Sequence, residues 1–560
     1  MVSTESPARR PPESWLRHLE RGAVALLLAA ALVPRLPDLR GPFDRGFEGF
    51  QGSFFATCAV NYERLGLGAL NGYPVANVDL SADDPQSWYA YANHPPAVPL
   101  LAWAGAAALG PSGWDEAWKE DRAPEGLETA LRLPFFALHL LLLYGLYRAL
   151  RPGAGAQTAL IALALLAVLP LAVLYAGLVN YENPSLALVV LGYAAAARWL
   201  ASEGRARRRA LLAYAACFAL AGCVTFAPVF FVAALAGARL LRGRPREAAV
   251  LGGAGLGAAL LPLAVHGLVA GRTLAGLGQP ADTLPERARR MLAPLLDGSV
   301  PLPRWLGIQA GGLVELFTIP VLLAAAVGLG FALRECRRRD SLALPLFAGG
   351  ALLHLAFYRH TSDVPRQDVF FLNLAPGIAA LAAVAVDRAG RPLLRLRAGL
   401  APLVVLVSSV GLPALVRAGE LRALWRGPGP ADDPALADGP ELPLPPRAGA
   451  ALAEALPSGA AGLYPQALGF GNATFYYAWR TLQPIATVDD AGLAMQVLDR
   501  FGMGDAPVYL LLPRRPPPSA VGQVQALRAA FAERLPEIAG RPPDRVTQEW
   551  ESWRLGPRDG

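Results

Sequence analysis

Lysine is almost missing from this chain of 560 residues: Lys119 is the only one, so the formal charge of +7 is nearly all arginine. Charge of any sign is scarce. Asp, Glu, Lys and Arg make up 17% of the residues, against about 25% in a soluble domain. That shortage, with a mean hydropathy of +0.34, argues against a soluble globule. Cysteine is scarce as well. Cys58, Cys217, Cys223 and Cys336 match no metal-binding spacing, and three of them fall in or beside apolar runs, so no structural disulfide is expected. No internal repeat is visible. The arginines flank apolar runs, which makes them topology signals rather than a nucleic-acid surface.

What the chain has instead is apolar blocks of about 17–25 residues, the length that crosses a bilayer as a helix. Window reasoning gives about eleven spans. They lie near 20–36, 130–150, 156–178, 184–201, 208–222, 225–241, 248–270, 306–333, 341–357, 368–387 and 399–416. The pair 208–222 and 225–241 reads as a bent hairpin around Cys223-Val224. Residues 97–110 are apolar but short, and suit a helix lying in the membrane interface. The first apolar run, Ala23 to Val33, follows Arg9, Arg10, Arg17 and Arg21 but has no small-residue cleavage pattern after it; an uncleaved first helix is expected.

Orientation follows from the arginines. With residues 1–19 in the cytoplasm and the spans alternating, Arg205 to Arg209, Arg239 to Arg246, Arg334 to Arg339 and Arg388 to Arg397 all face the cytoplasm. The loop 37–129 and the tail then lie outside it. The membrane part ends near 416. Residues 417–447 are rich in Pro, Gly and Asp and read as a linker. Residues 448–560 read as a small extracytoplasmic α/β domain: helix-like 447–456, strand-like 461–464, helical 490–501, an apolar strand 507–512 and an amphipathic helix near 519–534. No nucleotide fingerprint occurs there.

Polar residues of chemical interest cluster in the outer loops. Asp44 and Glu48 are four apart and would share one helix face; a carboxylate there can take a proton from an acceptor hydroxyl. Gln51 follows them. The run Tyr91-Ala92-Asn93-His94-Pro95-Pro96 ends in two prolines suited to a helix start, and a helix N-terminus favours a phosphate. Between two late spans lies Arg359-His360-Thr361-Ser362-Asp363-Val364-Pro365-Arg366. Arginines on the outer side run against the charge bias, and binding an anionic headgroup is one reason for them; snorkelling or pairing with Asp363 is another. Glu182, in Tyr181-Glu182-Asn183-Pro184, stands at another outer boundary as a substrate or metal ligand, or as a cap of the following helix. For each cluster the plain alternative is a solvated loop with interfacial side chains.

In order along the chain, an acidic motif after the first span (Glu48), His94-Pro95-Pro96, the short apolar segment 97–110 and Arg132-Leu133-Pro134 resemble the GT-C type glycosyltransferases that use polyprenyl-phosphate sugars. The nearest branch holds the protein O-mannosyltransferases and the aminoarabinose transferases of lipid A, and the likeness covers about residues 20–390. It implies a polytopic α-helical membrane fold and inverting transfer of a sugar from a lipid phosphate to a lipid, envelope-glycan or protein acceptor. The place would be the outer face of a bacterial inner membrane. The acidic position falls on Glu48 and the phosphate-side position on His94. Phe47 stands where the family usually has Asp, which leaves the base open between Glu48 and Asp44. His360, Arg359 and Arg366 would help bind the donor phosphate, and Gln51, Tyr91, Asn93 and Glu182 the substrates. Some relatives use a divalent metal and others do not; Asp44, Glu48 and Glu182 are the carboxylates that would hold one. The rival class is a transporter or lipid-linked glycan flippase without covalent chemistry, which should show charged or broken helices near the bilayer midplane and paired repeats.

Overall fold

A computed structural model describes residues 13–40, 43, 51–76, 88, 90–111, 126–277, 289, 293–294, 296–335, 341–358, 368–395, 401–426, 451–457, 460–465, 481–485, 487, 507–514, 516, 520–536, 540–547 and 550–555. Helices dominate up to residue 426. They are α1 (Glu13–Leu32), α2 (Ser53–Leu65), α3 (Ala97–Leu109), α4 (Leu127–Ala154), α5 (Ala156–Val168), α6 (Pro170–Leu174) and α7 (Glu182–Leu200). There follow α8 (Gly204–Gly222), α9 (Pro228–Leu241), α10 (Pro245–Gly276), α11 (Leu302–Phe317), α12 (Ile319–Glu335) and α13 (Ala343–Ala356). A 3-10 segment, Asp368–Leu374, leads into α14 (Ala375–Arg395), and α15 (Ala401–Arg426) closes the bundle.

Three described helices are long and apolar enough by themselves to cross a membrane: Leu127–Ala154, Pro245–Gly276 and Val369–Arg391. The other expected spans fall on helices that are shorter, more charged or less apolar. The hairpin expected at 208–241 is two helices, α8 and α9, joined through Cys223–Ala227. The single span expected at 306–333 is instead two helices meeting at 109°. The bend sits at Thr318, whose φ of 66° no α-helix permits, with Pro320 just inside α12. The span expected at 156–178 is also broken, at Leu169 before Pro170.

That second break shows how a polar residue is used inside the bundle. Proline removes a backbone donor, and carbonyls freed in an apolar setting need another. Arg35, only 1% exposed, supplies it. Its guanidinium donates to the carbonyls of Ala167 at 2.8 Å and Ala172 at 3.1 Å, and to Ala31 at 2.6 Å. Elsewhere small residues let helices touch. A Cβ on Gly328 would lie 1.8 Å from the Leu381 carbonyl oxygen, so α12 and α14 pack backbone to backbone there.

Beyond the bundle lies a five-stranded mixed sheet of order β2-β1-β3-β5-β4. Its strands are β1 (Ala461–Pro465), β2 (Thr481–Ile485), β3 (Val508–Pro513), β4 (Arg545–Val546) and β5 (Trp550–Arg554), with α16 (Val521–Arg534) packed on it. β1 pairs in parallel with both β2 and β3, and β3 and β4 pair antiparallel with β5. Alternate side chains of β3 enter different cores: Tyr509 and Leu511 join Tyr464 and Trp550, while Val508, Leu510 and Leu512 join Phe531 and Trp553. Burial on both faces explains why β3 reads as an unbroken apolar run. The helix expected at 490–501 lies outside the described residues.

Candidate active site

Two of the sequence motifs and the flanks of segment 44–50 meet in one apolar cluster. Phe43, Phe55 and Ala56 from either side of segment 44–50 pack with Val98 and Ala102 of α3, with Leu131 and Phe135 of α4, and with Tyr181. Each anchor has a local cause. Arg132 is 1% exposed; its guanidinium carbon sits 4.6 Å from the centroid of the Phe43 ring, and its Nη1 donates to the Leu39 carbonyl at 3.5 Å. Thr129 donates to the same carbonyl at 2.9 Å. The arginine of the Arg-Leu-Pro motif therefore clamps the chain just before Asp44. Pro134, in the same motif, leaves the Ala130 carbonyl without its helical donor. Gly105 of α3 packs into that spot, where a Cβ would lie 2.6 Å from the Ala130 oxygen.

His94 is placed from the other side. Tyr91 donates its backbone N–H to the Pro74 carbonyl at 2.9 Å, and Val75 bridges to Ala90. Segment 66–76 is in turn fastened to α10. Asn71 donates to Thr273 at 3.1 Å, and the Tyr73 hydroxyl shares hydrogen bonds with His266 Nδ1 at 2.6 Å and the His266 carbonyl at 3.0 Å. The 32 residues of α10 extend about 48 Å at 1.5 Å per residue, longer than the hydrocarbon core of about 30 Å; its far end is thus free to hold this loop. Burial pushes the Tyr73 phenol up to about 12 and the Cys58 thiol up as well.

A continuous aromatic row runs through His94. Its ring stacks on Tyr181 with centroids 3.9 Å apart and lies nearly parallel to Phe226 at 6.1 Å. Phe226 stacks on Phe357 at 5.2 Å, and Phe357 meets Phe370 at 4.7 Å. On the other flank Tyr181 packs edge-on with Phe55 at 5.0 Å, and its hydroxyl is hydrogen-bonded to that of Tyr91. Phe357 lies two residues before Arg359 and Phe370 four residues after Arg366, the ends of the late polar segment.

Of the expected site residues, Asp44, Glu48, Arg359, His360 and Arg366 lie outside the described residues. Tyr91, His94 and Glu182 are brought together around Tyr181. Asn93 is exposed next to them, and Gln51 opens the turn before α2. Gln51 Oε1 and Glu182 Oε2 are buried, and neither has a hydrogen-bond partner among the described residues. The helix expected after Pro95-Pro96 begins at Ala97; Pro95, Pro96 and Pro99 carry no N–H, so the free N–H groups of its first turn are those of Ala97 and Val98. Sequence reasoning did not single out Tyr181, Phe226, Phe357 or Phe370. A signal was there: each stands at the same end of an apolar run under the alternating topology. Among the described residues no three His, Cys, Asp or Glu side chains gather to hold a metal ion; of the three carboxylates expected for one, only Glu182 is described. Cys58, Cys217 and Cys223 are free thiols.

No family model and no curated protein matches the sequence. Solved structures do. Archaeal oligosaccharyltransferase AglB from Archaeoglobus fulgidus, in complex with an inhibitory peptide and a dolichol-phosphate, aligns with a TM-score of 0.58 at 14% identity, over 93% of this chain and 72% of that one. ArnT from Cupriavidus metallidurans, bound to undecaprenyl phosphate, aligns with a TM-score of 0.56 at 14% identity, over 95% of this chain and 97% of that one. At such identity the likeness is one of architecture. The chain has the GT-C type fold of a helical membrane protein.

Proposed function

We propose that the protein is an integral membrane glycosyltransferase. It moves a sugar from a polyprenyl-phosphate donor to a lipid, envelope-glycan or protein acceptor on the outer face of a bacterial inner membrane. The aromatic row carries this reading, because it sets His94 between the anchors of segments 44–50 and 359–367. The lipid phosphates held by AglB and ArnT support a donor of that class.

In the proposed reaction the acceptor hydroxyl oxygen attacks the anomeric carbon from the face opposite the phosphate. A new C–O bond forms as the bond to the phosphate oxygen breaks, and configuration inverts. Glu48, or Asp44 in its place, accepts the hydroxyl proton. The polyprenyl phosphate leaves with the electron pair, and its charge is met by His94, by the N–H groups at the start of α3 and by Arg359, His360 and Arg366. A good leaving group of this kind needs charge stabilisation more than a general acid. Gln51, Tyr91, Asn93 and Glu182 hold sugar or acceptor hydroxyls. Where a divalent ion takes part, Asp44, Glu48 and Glu182 are the hard oxygen donors suited to it.

The test is transfer of label from a panel of radiolabelled polyprenyl-phosphate sugars, using purified protein and a membrane extract as acceptor mix. Transfer from one donor establishes the class and names the sugar. A folded protein that neither transfers nor hydrolyses any donor favours a transporter or flippase.

A further inference from the structure

Beside Tyr181, at the head of α7, lies a buried polar cluster that the proposed reaction does not use. His139 of α4, Asn180 and Asn183 are all fully buried. Asn183 is the hub. Its Nδ2 donates to the carbonyls of Phe135 at 3.2 Å and Ala176 at 3.0 Å. Its Oδ1 is hydrogen-bonded to His139 Nδ1 at 3.2 Å, and its backbone N–H donates to Asn180 Oδ1 at 3.3 Å.

These bonds assign the hydrogens. An amide that donates to two carbonyls turns its NH2 towards them, so Oδ1 faces the imidazole and can only accept. Nδ1 of His139 therefore carries the ring hydrogen. Nε2 is buried with no hydrogen-bond partner among the described residues, so the ring is aligned there through Asn183. The Ala176 carbonyl belongs to the irregular stretch between α6 and α7, where a backbone acceptor in an apolar setting needs a donor. Asn183 thus ties that stretch, α4 and the first turn of α7 at one point. The same turn adjoins Tyr181, whose ring stacks on His94, and begins with Glu182, whose Oε2 is buried.

Stability is a weak reason for such a cluster. Apolar side chains of the same shape can replace both partners of a buried hydrogen bond at little cost. What a satisfied polar network adds is one fixed arrangement. We infer that His139, acting through Asn183, is a positioning residue for transfer: the pair holds the head of α7 where Tyr181 keeps the His94 imidazole aimed at the donor phosphate. This rests on the reading of His94 as a ligand of that phosphate.

Two variants separate position from packing. His139→Leu fills the space but has no donor. His139→Asn puts an amide N–H near the place of Nδ1–H and leaves a gap. Full-length protein in nanodiscs is assayed for transfer from the active polyprenyl-phosphate sugar and for its melting temperature. A third readout is carbethoxylation of His94 by diethyl pyrocarbonate, followed by mass spectrometry. In His139→Leu, kcat should fall about tenfold to a hundredfold, the scale of a misplacement near 1 Å, with the donor KM little changed. In His139→Asn most of kcat should return although the protein melts lower. Labelling of His94 should be severalfold faster in His139→Leu and close to wild type in His139→Asn. Packing alone would rank both variants by melting temperature. The labelling needs no turnover: if wild-type protein transfers no sugar the glycosyltransferase reading falls, and the labelling order still decides whether His139 places His94. Wild-type kcat and labelling in His139→Leu, or kcat and labelling that follow the melting temperatures, overturns the inference.

Discussion

His94 and Tyr181 lie ring on ring, with centroids 3.9 Å apart and planes 27° from parallel. Tyr181 is also hydrogen-bonded through its hydroxyl to Tyr91, from the same loop as His94. One tyrosine at the head of α7 thus holds the loop at two points, and the imidazole is oriented before any substrate arrives. Orientation in advance is what makes a charge-stabilising group effective in catalysis.

Replacing His94 by alanine should lower kcat by about a hundredfold to a thousandfold, the usual loss when one preorganised charge-stabilising donor is removed. Cluster packing through Phe55 and Tyr181 remains, so the thermal midpoint should change little. A steady-state assay with the active donor, beside a melting curve, checks both.

Loss of the base is expected to be of similar size. Glu48→Gln should slow transfer about a hundredfold to ten-thousandfold while donor affinity stays near wild type. Full activity in Glu48→Gln together with a dead Asp44→Asn would move the base to Asp44. If both single variants keep full activity, the proposed proton transfer is wrong.

Arg132→Gln removes the cation over Phe43 and the charged donor to Leu39. The expected cost is about 1.5–3 kcal/mol of stability, the range for a hydrogen bond to a charged group, with a further loss of turnover because Phe43 leads directly into Asp44. Lysine should rescue stability only in part, since it lacks the planar group that stacks on the ring. Denaturation and turnover of the three proteins, side by side, decide it.

Gly105→Val should destabilise the protein by about 1–3 kcal/mol through overpacking against the Ala130 carbonyl. Gly253, on α10, has no atom within 4 Å of a Cβ position, so Gly253→Ala is a control expected to be neutral or slightly stabilising. Melting temperatures in one detergent give the comparison.

Tyr73 makes a pH prediction. Burial holds its phenol neutral up to about 12 in the folded protein, whereas an unfolded tyrosine ionises near pH ~10. Between these values the unfolded state holds fewer protons, so stability falls as pH rises and is fully present below the lower one. Thermal melts from neutral to strongly alkaline pH should therefore decline less steeply in Tyr73→Phe than in wild type. Equal slopes would mean that Tyr73 is not buried against α10.

Much of this architecture was legible in the residues. Prolines 95 and 96 announced the start of α3, the alternation of arginine-rich turns anticipated α8 and α9 as separate helices, and the apolar run at 507–512 became β3. The breaks at Leu169 and Thr318 were not legible, because window hydropathy averages over a single residue that leaves helical geometry. Within the candidate site the motifs pointed to His94 and Glu182. They did not point to the row of Tyr181, Phe226, Phe357 and Phe370, since aromatic residues at span ends are ordinary in membrane proteins. Only their alignment in space separates these four from the rest. Arg132 was visible as part of a motif, but its task as a clamp on Leu39 and Phe43 depends on contacts made across the fold.

The bond from Arg35 to Ala167 joins residues 132 positions apart, and it has a direction in time. A chain made from its N-terminus delivers Arg35 to the bilayer long before the break at Leu169 emerges. The donor is already waiting when the interrupted helix inserts. A chain that begins after residue 40 would have to bury the same bare carbonyls alone, and its place of failure would be biogenesis rather than chemistry.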